Sequence, residues 1–205
     1  MRSTLRLLAL MTTVSLVASC GPSTTLKTSW KDPSVTEPVH FTKVVALMVE
    51  KDGATRRQVE DMMVARITAG NPGVAAVQSY TLLGTEDLKD KDQAKAILET
   101  AGVDGAVVVR VVGVDKQTTY VQGSYPMAYG NFYGYYDYAW PGAYDPGYVQ
   151  TDTIVNLETL VYSVKDEKLL WSGVTESFNP SSTEDLLTGA ADCVSAAMRK
   201  DGVIR

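Results

Sequence analysis

The chain has 205 residues, a formal charge of −5, one histidine and two cysteines. That length suits a single domain able to bury a core. The acidic balance makes nucleic acid a poor partner, and so few cysteines and histidines leave no cluster for structural zinc.

The chain opens with Arg2 and Arg6, an apolar stretch from Leu7 to Val17 and then small residues, the order of a secretory signal. This stretch is about half the roughly 20 apolar residues that a membrane-spanning helix needs, so it reads as a leader. Val17-Ala18-Ser19-Cys20 places a branched aliphatic residue and two small residues before a cysteine, a pattern that resembles the processing site of bacterial lipoproteins. The resemblance implies removal of residues 1–19 as a signal peptide and acylation of Cys20 by more than one chain. A single myristoyl chain anchors only marginally, at about 0.8 kcal/mol per buried methylene, whereas two or more hold the protein to the bilayer. Gly21, rather than Asp, after that cysteine implies the outer membrane, with the domain facing the periplasm. With Cys20 acylated, Cys193 has no partner for an intramolecular disulfide.

Residues 20–38 are mostly Ser, Thr, Pro and scattered charges and read as a flexible tether, because they cannot bury enough apolar surface to offset their ordering entropy. Trp30 is expected to dock on the domain edge. Lys43 to Val49 is Val-rich and predicts a buried strand. Thr55 and Gln58 have capping-box spacing, and Val59, Met62, Met63 and Ile67 continue a helix to about Ala69, stopped by Gly70-Asn71-Pro72-Gly73. Val74 to Leu83 reads as a second strand and Asp87 to Ala101 as a second helix ended by Gly102. Ala106 to Val114 is the clearest strand.

Residues 117–150 differ in kind, holding nine of the eleven tyrosines among closely spaced glycines and prolines. That density argues against a regular element, and a loop of this length is uncommon unless functional or disordered. Thr153 to Val164 and Lys168 to Phe178 then predict an antiparallel hairpin. Val155, Leu157, Thr159 and Val161 share one of its faces. A last helix follows, with Ser181 and Glu184 at capping-box spacing and Leu186, Leu187, Ala190, Val194, Ala197 and Met198 on one side. The order is β-α-β-α-β, long loop, β-β-α. The fold class is α/β (α+β), a single mixed sheet with helices packed on it over residues 39–205.

That order after Cys20, the Arg56-Arg57 helix start, the strand at Asp104-Gly105-Ala106-Val107-Val108-Val109-Arg110 and the late Leu170-Trp171-Ser172-Gly173 resemble uncharacterised bacterial lipoproteins of the DUF4136 kind. The fold is similar to the α/β domain of the TolB N-terminal region and of the LpoB and CsgG lipoproteins. The resemblance implies an accessory or assembly role in the envelope and transfers no individual binding residue.

No catalytic constellation stands out. His40 is alone, next to the tether, and a Ser-His-Asp arrangement needs its base within reach of a nucleophile. Asp87, Asp90 and Asp92 suggest calcium, but an EF-hand loop begun at Asp90 would place Lys95 where Gly is needed and Ala101 where Glu is needed. Acids near a helix N-terminus are favoured by the macrodipole instead. Cys193, Met62 and Met63 read as packing residues, and Arg56, Arg57 and Arg66 as solvated or paired. The expectation is therefore a protein without cofactor, metal or enzymatic activity.

The candidate partner-binding residues are Tyr125, Tyr129, Phe132, Tyr133, Tyr135, Tyr136, Tyr138, Trp140, Tyr144 and Tyr148, since aromatic rings supply large contact areas at low rotamer cost. No Lys or Arg lies between Lys116 and Lys165, which removes the groove that single-stranded nucleic acid requires. The expected partners are the lipid bilayer, through Cys20, and an envelope protein or further copies of the chain. The competing reading is a glycan-binding module that touches peptidoglycan with the same rings.

Overall fold

A computed structural model describes residues 23–84, 86–121, 132–134, 136 and 147–205. The strands are β1 (Ser23–Lys31), β2 (Lys43–Met48), β3 (Ala75–Gln78), β4 (Gly105–Val121), β5 (Tyr148–Ser163) and β6 (Lys168–Phe178). The helices are α1 (Gly53–Gly70), the single turn α2 (Ser79–Leu82), α3 (Lys91–Thr100) and α4 (Thr183–Lys200), with a 3₁₀ turn at Asp87–Lys89. The strands form one mixed six-stranded sheet in the order β1-β6-β5-β4-β2-β3. β2 is parallel to β3 and β4, and the other pairs are antiparallel. This is the α/β class that the periodicity predicts.

The core lies between one sheet face and the helices. α1 lies on β2 and β3, α4 lies on β1 and β6, and the two helices touch. Alternation along β5 sends Val155, Leu157, Thr159, Val161 and Ser163 inward, where all are buried, and leaves the residues between them half-buried. Ala46, Met48, Val59, Met63, Val109, Leu157 and Ala190 form one cluster. Val161, Trp171, Val194, Met198 and Val203 form a second. Trp171 is fully buried, and its Nε1 donates to Asp201 Oδ2 at 2.9 Å.

The tether expected over residues 20–38 is corrected from Ser23 onward, where β1 pairs with β6 from Ser23↔Phe178 to Lys31↔Trp171. Its composition is polar, but β-branched Thr residues suit a strand. Thr24 Oγ1 and Ser177 Oγ lie 2.8 Å apart, Leu26 packs against the Trp171 cluster, and Lys27 Nζ donates to Glu176 at 3.1 Å. Trp30 lies in this edge strand and is 46% exposed.

Helix boundaries shift for local reasons. Asp52, not Thr55, caps α1 by accepting from Thr55 N at 2.7 Å. The second predicted helix divides, because Asp90 accepts from the backbone of Asp92 and Gln93 and starts α3 there. Gly102, at φ +70, follows its end. Ser182 rather than Ser181 caps α4. The predicted second strand shortens to β3 because Ser79 turns into α2, held by buried polar partners on α1.

Candidate functional site

The aromatic stretch expected as a loop over 117–150 is narrower than predicted, because β4 and β5 run into it. Asp115↔Ile154, Ile154↔Phe178 and Ser23↔Phe178 make one row across four strands. Beyond that row β4 and β5 continue to Val121↔Tyr148. Among the described residues, Gln117–Val121 and Tyr148–Asp152 pair only with each other, so they form a two-stranded ribbon projecting from the sheet. Six residues past the row correspond to about 20 Å.

The register gives this ribbon two unlike faces. Lys116, Thr118 and Tyr120 share a face with Val149, Thr151 and Thr153, continuing the helix side of the sheet. Asp115, Gln117, Thr119 and Val121 share the other with Tyr148, Gln150 and Asp152. On the first face Tyr120 is 60% and Val149 62% exposed. Val111 and Val112 are exposed at the base of the ribbon, beside the bulge between Val111 and Gly113. A lone two-stranded ribbon is marginal in water, and an exposed apolar face marks a contact surface.

Its base is clamped. Thr153 N donates to Asn179 Oδ1 at 2.6 Å, and Asn179 Nδ2 donates to Asp152 Oδ1 at 2.8 Å. Asn179 adopts φ +49, a left-handed conformation that Asn tolerates better than most residues. Hydrogen bonds from Gln150 and Asn179 hold the Asp152 carboxyl below the ordinary range.

Of the candidate partner-binding residues, Phe132, Tyr133 and Tyr136 are described and exposed. The Phe132 and Tyr133 rings meet edge-on with centroids 5.5 Å apart, and Phe132 and Tyr136 lie 6.4 Å apart. Tyr148 belongs to β5, not to a loop, and is exposed opposite Val121. Tyr125, Tyr129, Tyr135, Tyr138, Trp140, Tyr144 and Cys20 lie outside the described residues. The ribbon residues Tyr120 and Val149 are not among the candidates. Their signal was alternation of β-branched residues with polar ones, which aromatic content overshadowed.

The structure also places a polar cluster that the sequence reading did not assemble. Glu60 Oε1 accepts from Arg56 Nε at 2.9 Å, Ser79 Oγ at 2.6 Å and Met48 N at 3.1 Å. Glu60 Oε2 accepts from Tyr80 N at 3.0 Å, and Arg56 Nη2 donates to Ser79 Oγ at 2.7 Å. All three side chains are buried, Glu60 and Ser79 completely. A serine held between carboxylate and guanidinium with no exposed surface offers a substrate no approach. The cluster ties α1 to the ends of β2 and β3. Arg57 stacks over Tyr80 at 5.9 Å, and Arg66 pairs with Asp192 at 2.7 Å, so these arginines are paired as expected.

His40 is exposed beside a shallow pocket whose lining includes Phe41, Asn71, Pro72 and Arg205 but no serine or cysteine. Among the described residues no group of three or more His, Cys, Asp or Glu could hold a metal ion. Asp87 and Asp90 serve the backbone, Asp87 Oδ2 accepting from Gly84 N at 2.7 Å. Cys193 Sγ lies 3.2 Å from Thr24 O, and burial pushes its thiol pKa up, as suits a packing residue.

No protein-family model matches the chain, and no curated protein matches it. Among solved structures, a PelC dodecamer from Paraburkholderia phytofirmans is 12% identical over 84% of this chain and 95% of that one, with a TM-score of 0.42. A point variant of that dodecamer gives 11%, 85%, 96% and 0.42. Lipoprotein GNA1162 from Neisseria meningitidis is 13% identical over 78% of this chain and 99% of that one, with a TM-score of 0.38. At such scores these likenesses carry no argument about what this chain does.

Proposed function

We propose that this is a lipid-anchored, non-enzymatic interaction protein of the bacterial envelope, held through acylated Cys20 at the outer membrane and facing the periplasm. The observation that carries the reading is the projecting β4–β5 ribbon, which presents exposed Tyr120, Val149 and Tyr148 and leads into the aromatic stretch with exposed Phe132, Tyr133 and Tyr136. Val17-Ala18-Ser19-Cys20 supports the anchor, and no described helix is long and apolar enough to cross a membrane. The role is recognition. Exposed rings give contact area and offset stacking, whereas the buried Arg56–Glu60–Ser79 cluster is saturated by its own partners.

Photocrosslinking in cells from position 133 tests this. The expected product is a discrete protein adduct, from an envelope protein or a second copy, absent when the photoreactive residue is placed at Lys165. Adducts at neither position, or equal ones at both, contradict the reading. Capture on peptidoglycan alone, lost with Tyr133→Ala, favours the glycan-binding alternative.

A further inference from the structure

We infer that the helix-side face of the β4–β5 ribbon rests on the lipid surface to which the chain is anchored, a reading that depends on acylation of Cys20. The argument begins with the strand that replaces the expected tether. β1 starts at Ser23, so only Gly21 and Pro22 separate the acylated residue from the sheet. Three residues, fully extended, reach about 10 Å, which keeps the first row of the sheet within that distance of the lipid headgroups.

That row is also where the ribbon leaves the sheet. Ser23 is opposite Phe178, Phe178 opposite Ile154, and Ile154 opposite Asp115. β1 begins at this row and runs inward from Ser23, whereas β4 continues outward past it toward Val121. β5 lies two strands from β1, about 10 Å sideways at the usual strand spacing. The start of β1 and the root of the ribbon therefore lie at the same end of the sheet. The ribbon's reach of about 20 Å is twice that of the anchor segment. It must enter the headgroup layer or lie down along it.

The chemistry fits a lipid interface. The helix-side face of the ribbon offers Tyr120 and Val149 with the hydroxyls of Thr118 and Thr151, and one cation, Lys116, whose long stem can place its ammonium among headgroups. Tyrosine is favoured where one end of a side chain is apolar and the other wet. The opposite face also ends in an apolar pair, Val121 and Tyr148, but it carries the acids Asp115 and Asp152 with Gln117 and Gln150, which stay in water. With acids on one face and one lysine on the other, contact is driven by apolar burial rather than attraction to anionic headgroups. So polar a ribbon lies on the bilayer and does not cross it. The contact would set the domain's orientation and bring Phe132, Tyr133 and Tyr136 to partners at the membrane surface.

The test uses full-length lipoprotein purified from membranes, with Cys193→Ser removing the free thiol. Val149→Cys and, separately, Lys165→Cys carry an environment-sensitive fluorophore, in vesicles of phosphatidylethanolamine and phosphatidylglycerol containing a nitroxide-labelled phospholipid. Lys165 lies in the β5–β6 turn, at the far end of the sheet. The expected result is acyl mass on Cys20 with a blue-shifted signal at 149, quenched at least about twofold more than at 165, as burial at the interface requires. Acyl mass present with equal quenching at both positions overturns the ribbon contact alone. No acyl mass on Cys20 overturns the anchoring and the ribbon contact together.

Discussion

Glu60 is completely buried and accepts hydrogen bonds through both carboxylate oxygens, so its removal leaves Arg56 buried without its carboxylate. Breaking a buried pair by deleting one partner costs about 3–5 kcal/mol. Glu60→Ala is expected to lower unfolding stability by that amount in urea titrations, and a loss below 1 kcal/mol would contradict the role given to the cluster. Asp32 makes a different prediction. Hydrogen bonds from Ser34 and Lys168 hold its carboxyl at about 2, below its ordinary value of 3.8. A depressed folded-state pKa gives stability that is full above the unfolded value and is lost as pH falls through the folded one. Thermal melts between pH 5 and 2 should therefore show the wild type losing stability below about pH 4, and Asp32→Asn losing less over the same window. Parallel curves would remove Asp32 from the account.

β1 belongs to the domain because α4 comes close to it. A Cβ built on Gly189 would lie 2.4 Å from Thr24 Oγ1 and 3.0 Å from Thr24 Cβ, so only glycine lets the helix approach the strand this nearly. Gly189→Ala is expected to destabilise by about 1–3 kcal/mol, the usual cost of overpacking, and to speed hydrogen exchange of β1 amides. Unchanged β1 protection would show that the strand is not held from above. This pairing also marks where the sequence could be read and where it could not. The β5–β6 hairpin and α4 were legible because their apolar residues repeat at periods of 2 and 3.6, and their inward residues are the buried ones. β1 was not legible, since Thr24–Ser177 and Lys27–Glu176 join residues about 150 positions apart and leave no local trace. The ribbon was hidden for a related reason, because its Thr, Gln and Asp residues enclose no core and pair across the aromatic stretch. Cap positions moved by up to three residues, as where Asp52 rather than Thr55 caps α1 by accepting from Thr55 N. The Arg56–Glu60 spacing was visible, but Ser79, which completes the cluster, lies 19 residues beyond Glu60.

Seen whole, the chain places the start of β1 and the ribbon at one end of the sheet and the β5–β6 turn at the other. With Cys20 acylated as proposed, that polarity would give the molecule a membrane side and a periplasmic side, and no described helix is long and apolar enough to cross a membrane. The proposal depends on the sulfur of Cys20, because an unacylated chain would leave the ribbon facing water. Intact-mass spectrometry of the protein extracted from envelopes tests this most directly. The predicted species begins at Cys20, carries the mass of its acyl chains, and disappears from the membrane fraction in Cys20→Ser. A mature chain that begins elsewhere, or one that begins at Cys20 without added mass, would contradict it.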